Sequence, residues 1–245
     1  GILTGYNEAF IIDGKKKDEL IAEDPKSAEI IRPILRGRDI KRYGYEFADL
    51  WLINAHNGYK DSYGNQIPKV DIEKYPAVKT HLDLYWKKIE KRYHQGDTPY
   101  NLRNCAYMED FYKQKIVWKA VGRNLAFSLL EEGSFITAPA SFITSIYNDY
   151  LLGFLCSTFA KYYILNNSDT TGAGDVMLNI QSLNNIPVPI PNNNEKISKL
   201  VQKILLNKKH NVETGNIEKE IDEIIYKLFA FKNEEIEFIE SQWPR

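Results

Sequence analysis

The residues best suited to chemistry in this chain are cations. The stretch 113–123 reads Lys-Gln-Lys-Ile-Val-Trp-Lys-Ala-Val-Gly-Arg. In an extended strand successive side chains alternate between faces, so Lys113, Lys115, Lys119 and Arg123 share one face with Val117 and Val121. Ile116, Trp118 and Ala120 fall on the other, which lets one face pack while its opposite meets phosphate. No carboxylate lies between Asp110 and Glu131 to neutralise that row. A second cationic run at 32–43 holds Arg32, Arg36, Arg38, Lys41 and Arg42 against Asp39 alone. Arginine forks match phosphate oxygens or guanine edges, and Gly37 permits close approach of the backbone. Both runs also fit solvated surface, and Asp39 can pair with a neighbouring arginine.

Reaction chemistry finds less support. An amino-methyltransferase loop needs Asn or Asp followed by Pro-Pro and an aromatic residue, and no Pro-Pro occurs. The loop Thr171-Gly172-Ala173-Gly174-Asp175 lacks the Gly-Lys-Ser/Thr ending of a phosphate-binding loop and does not join a strand to a helix as a dinucleotide site would. Metal-dependent nucleases place an acid ahead of an acid-x-Lys pair. Here no Glu-x-Lys occurs, and the Asp-x-Lys triplets at Asp13, Asp24 and Asp39 have no Pro-Asp upstream. His56, His81, His94 and His210 are dispersed without zinc spacing. The segment therefore reads as non-catalytic, with no cofactor or metal site of its own.

Composition sets the class of protein. With 245 residues, 43% hydrophobic and 13% aromatic, the chain is long and apolar enough for a sizeable core. The net charge of -1 conceals an asymmetry: between Glu213 and Glu240 nine acids stand against three lysines, which leaves the remainder net positive. Cys105 and Cys156 lie far apart, as expected of reduced thiols in a cytoplasmic protein. No apolar run has membrane length and no signal peptide is evident, so no membrane partner is expected. The first residue is Gly and patterned sequence begins at once, which reads as a segment of a longer polypeptide.

The elements that must position the cations follow from periodicity. A strand at 9–12 is expected to turn at Asp13-Gly14, with Lys15, Lys16 and Lys17 in a solvated loop. A short helix at 27–31 stops before Pro33, and 47–54 is a buried strand. Val78, Leu82, Trp86, Ile89 and Tyr93 predict one helix over 76–94, with Lys87, Lys88, Lys91 and Arg92 on its polar side. Strands are expected at 125–130 and 135–146 about a turn at 131–134, then a buried helix over 149–165. Alternating Pro187, Pro189 and Pro191 hold 183–191 extended. Ile197, Val201 and Ile204, then Ile217, Ile221 and Ile225, give two amphipathic helices, and 234–240 adds a last turn or two. The expected fold is α+β: a mainly antiparallel recognition body over 1–191, with packed helices, followed by a helical tail over 192–245 that packs on it or on a partner.

Several segments together resemble the TaqI-like C-terminal specificity domain, the target recognition domain of type IIG restriction-modification enzymes and adenine-specific DNA methyltransferases. They are 1–13, the Pro-Ile-Leu-Arg-Gly-Arg-Asp-Ile of 33–40, the strand at 115–123, 135–144, Leu-Leu-Gly-Phe-Leu-Cys-Ser at 151–157, 186–191, and the acidic helix ending in Ile-Tyr-Lys-Leu-Phe. The resemblance implies a domain that clamps double-stranded DNA against a methyltransferase domain of the same polypeptide, which flips out and methylates an adenine. It also implies S-adenosylmethionine, and Mg2+ if a nuclease is present, as cofactors of the parent protein rather than of this segment. On that reading Arg36, Arg38, Lys41, Arg42, Lys113, Lys115, Lys119 and Arg123 are the DNA contacts, some on phosphate and one or two at a guanine. The alternative is a helical spacer or assembly module, as in a type I-like specificity subunit.

Overall fold

Short apolar runs pair into sheets wherever both of their faces can be covered. In the computed structural model, which describes residues 1–189 and 194–242, strands Ile11–Asp13, Leu50–Ile53, Ile31–Leu35 and Phe135–Ile136 lie side by side in that order. The first two pairings are antiparallel, and Phe135–Ile136 joins Ile31–Leu35 in parallel. This sheet belongs to a first compact unit built from Gly1–Asp39, Phe47–Gln114 and Glu131–Ala138. Its core includes Phe10, Ile34, Leu52, Ile53, Val78, Leu82, Ile89, Phe111 and Phe135. Phe111 stacks on Phe135 with ring centroids 4.5 Å apart.

Two expectations for this unit change. Asp13-Gly14 opens a helix, Gly14–Glu23, rather than a hairpin: the Asp13 carboxylate accepts from Lys16 N at 2.8 Å, and Lys15, Lys16 and Lys17 lie within the first turn. Asp serves equally as turn residue and N-cap. Only Gly14 and Leu20 of this helix are buried, so no apolar stripe announces it. The single helix expected over 76–94 is two, Pro76–Asp83 and Trp86–Ile89, and Arg92 is buried rather than solvated. Its guanidinium donates to the carbonyls of Thr4, His94, Pro99 and Asn101 and lies over the Phe10 ring at 4.4 Å.

The second unit comprises Ile40–Glu46, Lys115–Leu130 and the described residues from Pro139 onward. Strand Lys115–Trp118 is central, flanked by antiparallel Phe127–Leu130 and Ser141–Ile143. The apolar stretch expected as one helix over 149–165 is broken into Asn148–Leu155 and Thr158–Asn167, because the backbone of buried Ser157 is extended and its hydroxyl accepts from Ala160 N at 3.1 Å. Helices Glu195–Lys209, Gly215–Leu228 and Asn233–Ser241 follow. Ile197, Val201, Ile204, Ile221 and Ile225 share a core with Trp118, Phe127, Tyr150, Leu152 and Phe154. Residues 180–184 are helical rather than extended, and Ile190 and Pro191 of the expected strut lie outside the described residues. Helices and mostly antiparallel strands thus make an α+β fold. No described helix is long and apolar enough to cross a membrane.

Gly153 sets how closely Asn148–Leu155 approaches Glu195–Lys209. A Cβ there would sit 2.7 Å from Ile197 Cγ2 and 2.9 Å from Val201 Cγ2. Gly153→Leu is expected to destabilise the chain by about 1–3 kcal/mol, read as a lower urea midpoint with an unchanged slope.

Burial makes the first unit sensitive to acid. His81, whose Nε2 lies 3.0 Å from Ala9 O, and His56 are both held below the ordinary imidazole range by desolvation. Below about pH 6.5 the unfolded chain therefore binds more protons than the folded one, and stability falls as pH falls. The melting temperature is expected to drop between about pH 7.5 and 5.5, and to drop less in H56Q/H81Q. A flat profile in the wild type would contradict the burial of these rings.

Candidate nucleic-acid interface

The eight cations singled out above divide between the two units. Arg36, Arg38 and Lys113 belong to the first unit, and Lys41, Arg42, Lys115, Lys119 and Arg123 to the second. The strand expected over 113–123 ends at Trp118, and Val121–Gly122 pairs instead with Val176–Met177. That strand is central in its sheet, and Lys115, Ile116, Val117 and Trp118 are all buried, so both of its faces are covered. Lys115 is 0% exposed, so the expectation that it meets DNA is corrected: a fully buried side chain has no path to a phosphate.

Three other candidates are engaged by groups of the fold, Arg42 and Lys113 while their side chains stay partly exposed. Asp39 takes Arg36 Nε at 2.9 Å and Nη2 at 2.8 Å, and its carboxylate also accepts from Arg36 N at 2.8 Å. Lys113 donates to Asp110 Oδ1 at 2.7 Å across one turn. Arg42 is the most heavily committed. Its Nη2 donates to the Cys156 carbonyl at 2.6 Å, its Nη1 pairs with Glu218, and its guanidinium lies 4.8 Å from the Tyr43 ring. Thr214 Oγ1 donates to the other Glu218 oxygen at 2.6 Å.

Burial alone would raise the Glu218 carboxyl, but Arg42 and the Thr214 hydroxyl outweigh it and hold the group below the usual carboxylate range. Tyr43 follows at φ 58°, an uncommon left-handed conformation for a bulky residue. Its ring is buried and its N–H donates to Phe127 O at 2.9 Å, so the surrounding fold holds this turn in place. Arg42 thus fastens the 40–45 hairpin to the C-terminal helices of the same unit, which assigns it a structural role.

What remains at the surface is smaller. Arg38 and Lys41 are exposed, the latter 3.4 Å from Glu46. Lys119 folds across Gly122, where an added Cβ would lie 2.6 Å from its Cε and Nζ. Arg123 has an 80% exposed side chain, with Asp175 at 3.6 Å. Val121 and Met177, opposite each other in register, are exposed beside these cations. Sequence reasoning missed Met177, because the Val176–Met177 strand is too short to show a period. Cations flanking an exposed apolar pair can contact phosphate and also pack on sugar or a thymine methyl.

Among the described residues no group of three or more His, Cys, Asp or Glu could hold a metal ion. Burial pushes the Cys156 thiol up to about 12 and raises Cys105 as well, so neither is a ready nucleophile.

Residues 32–188, which contain all eight cations, match the family model described as the TaqI-like C-terminal specificity domain. The chain is 27% identical over 238 residues to a protein named type II methyltransferase M.MjaIV from Methanocaldococcus jannaschii, an alignment covering 92% of this chain and 76% of that protein. The solved structure of the type IIL restriction-modification enzyme MmeI in complex with DNA has the same fold, with a TM-score of 0.71 at 13% identity over 95% of this chain. The present chain spans 32% of the MmeI chain.

If Arg42 is a clamp, Arg42→Ala strands a mostly buried carboxylate. It is expected to cost about 1–3 kcal/mol in urea unfolding, with a smaller additional cost when Glu218→Gln is added. DNA affinity measured on the still-folded variant should be little changed.

Proposed function

The chain belongs to the TaqI-like C-terminal specificity domain family, and from that premise we propose that it is the DNA-recognition part of a restriction-modification enzyme of the type IIG kind. It reads a duplex while a methyltransferase domain of the same polypeptide transfers a methyl group to adenine N6. S-adenosylmethionine would be bound by that domain, and Mg2+ by a nuclease domain where one is present. No residue of this chain is assigned to either. The single observation that carries the reading is the family match across 32–188.

Of the eight cations, Arg38, Lys41, Lys113, Lys119 and Arg123 are kept as duplex contacts, since their side chains are at least partly open to solvent, whereas Arg42 is committed to Cys156 O and Glu218. Lys119 and Arg123, which flank the Val121–Gly122 strand, are the pair best placed to act together. The apolar faces of Glu195–Lys209 and Gly215–Leu228 are buried within their own unit, which favours this reading over a helical spacer.

Lys119→Ala and Arg123→Ala are each expected to weaken binding to a labelled duplex and to lower the slope of log affinity against log salt by about 0.9 for each phosphate that is no longer neutralised. Arg123→Ala would instead relax preference at one base pair if this residue reaches a guanine. Lys115→Met serves as the contrast, altering thermal stability and leaving the slope unchanged. Wild-type slopes in both surface variants would remove this face from the interface.

A further inference from the structure

A second cationic surface lies in the first unit, on a segment that sequence periodicity assigns to a merely solvated helix side. Helix Trp86–Ile89 and the turn after it present Lys87, Lys88 and Lys91, all exposed. Lys91 follows Lys87 by four residues and Lys88 by three, in the turn that continues the helix, so three like charges are carried by five consecutive residues. Local acids offer little relief. Asp83 is occupied by Lys79 and the Tyr100 hydroxyl, and Glu90 lies 3.7 Å from Lys91. Among the described residues Lys87 and Lys88 have no ion pair.

The platform beneath these lysines is fixed. Leu82 and Ile89 are fully buried on the opposite side, and the Arg92 guanidinium ties the end of the turn to four backbone carbonyls. Beside it Tyr93 is 92% exposed, its ring edge-on to His94 at 4.9 Å. Like charges held close together on a rigid support, next to an exposed hydroxyl-bearing ring, suit a polyanion with regularly spaced charges.

We propose that Lys87, Lys88 and Lys91, with Tyr93, form a second contact surface for the phosphate backbone of duplex DNA. This rests on the DNA-recognition reading above and extends it to a face outside the expected set. Lysine heads on phosphate position a duplex without reading it, so this surface adds affinity to every sequence alike.

The test is a fluorescence anisotropy titration of the 245-residue chain with a short random-sequence duplex across a salt series. It compares wild type with K87A/K88A/K91A and with the charge-matched control K196A/K199A/K203A, whose lysines are exposed on helix Glu195–Lys209. The expected result is about tenfold weaker binding and a salt slope reduced by about 2–3 in the first variant alone, with no loss of melting temperature. Equal weakening in both variants would reduce the effect to net charge and overturn the proposal, as would a wild-type slope in K87A/K88A/K91A. Absence of binding by the wild-type chain at low salt would instead sink the DNA-recognition reading and this surface with it.

Discussion

The constraint on which the second unit turns is that Lys115–Trp118 lies between two other strands. Its backbone groups are taken up on both edges, and apolar residues cover both of its faces. With both of its faces covered as well as both of its edges paired, this strand presents no binding face, whatever its alternation suggests. The chain accordingly leaves the sheet after Trp118, whose indole N–H donates to Leu178 O at 3.0 Å, and the next cations emerge in a loop and a two-residue strand. Burial of the centre thereby decides which lysines reach solvent.

Arginine and lysine are used differently for a physical reason. A guanidinium offers five donors in a planar fork and can satisfy several carbonyl or carboxylate oxygens at once, whereas an ammonium is a compact and strongly hydrated charge. Arg32 closes on the carbonyls of Ala28, Glu29 and Ile31, Arg36 on Asp39, Arg42 on Cys156 and Glu218, and Arg92 on four carbonyls. Each guanidinium thus satisfies two or more oxygens at once, carboxylate for Arg36, backbone for Arg32 and Arg92, and both for Arg42. Lysines fill much of the exposed cationic surface, with Lys115 a buried exception, while Arg38, Arg42, Arg103 and Arg123 are exposed arginines.

This division explains what could be read from the sequence. Helices Glu195–Lys209 and Gly215–Leu228 carry apolar residues at regular helical spacing, and their existence and buried faces follow directly. Strands Leu50–Ile53 and Phe127–Leu130 were likewise legible as short apolar runs between turn residues. Sheet order was not, because it depends on pairing distant segments. Phe135–Ile136 and Ser141–Ile143 read as one continuous strand, yet they enter different sheets in different units. The candidate site suffered in the same way. A cation near Asp in sequence was correctly weighed as a possible pair for Arg36, but the partners of Arg42 lie more than a hundred residues away. Whether other segments cover both faces of a strand, as they do at Lys115, is invisible to local alternation.

The acidic stretch after residue 213 takes a different meaning in the folded chain. As sequence it suggests a negative tail that leaves the remaining body positive. In the structure some of its acids turn inward. Glu218 clamps Arg42, and Asp222 accepts from Thr158 N at 2.8 Å and Thr158 Oγ1 at 2.7 Å, capping the start of the Thr158–Asn167 helix. Carboxylates held in this way stabilise the second unit and contribute less field at its surface than their number implies, because each is balanced by a guanidinium or by helix N–H groups. Net charge counted along the chain is therefore a poor guide to where a polyanion would settle. Exposed cations whose neighbours leave them unbalanced are a better one, and only folding reveals which these are.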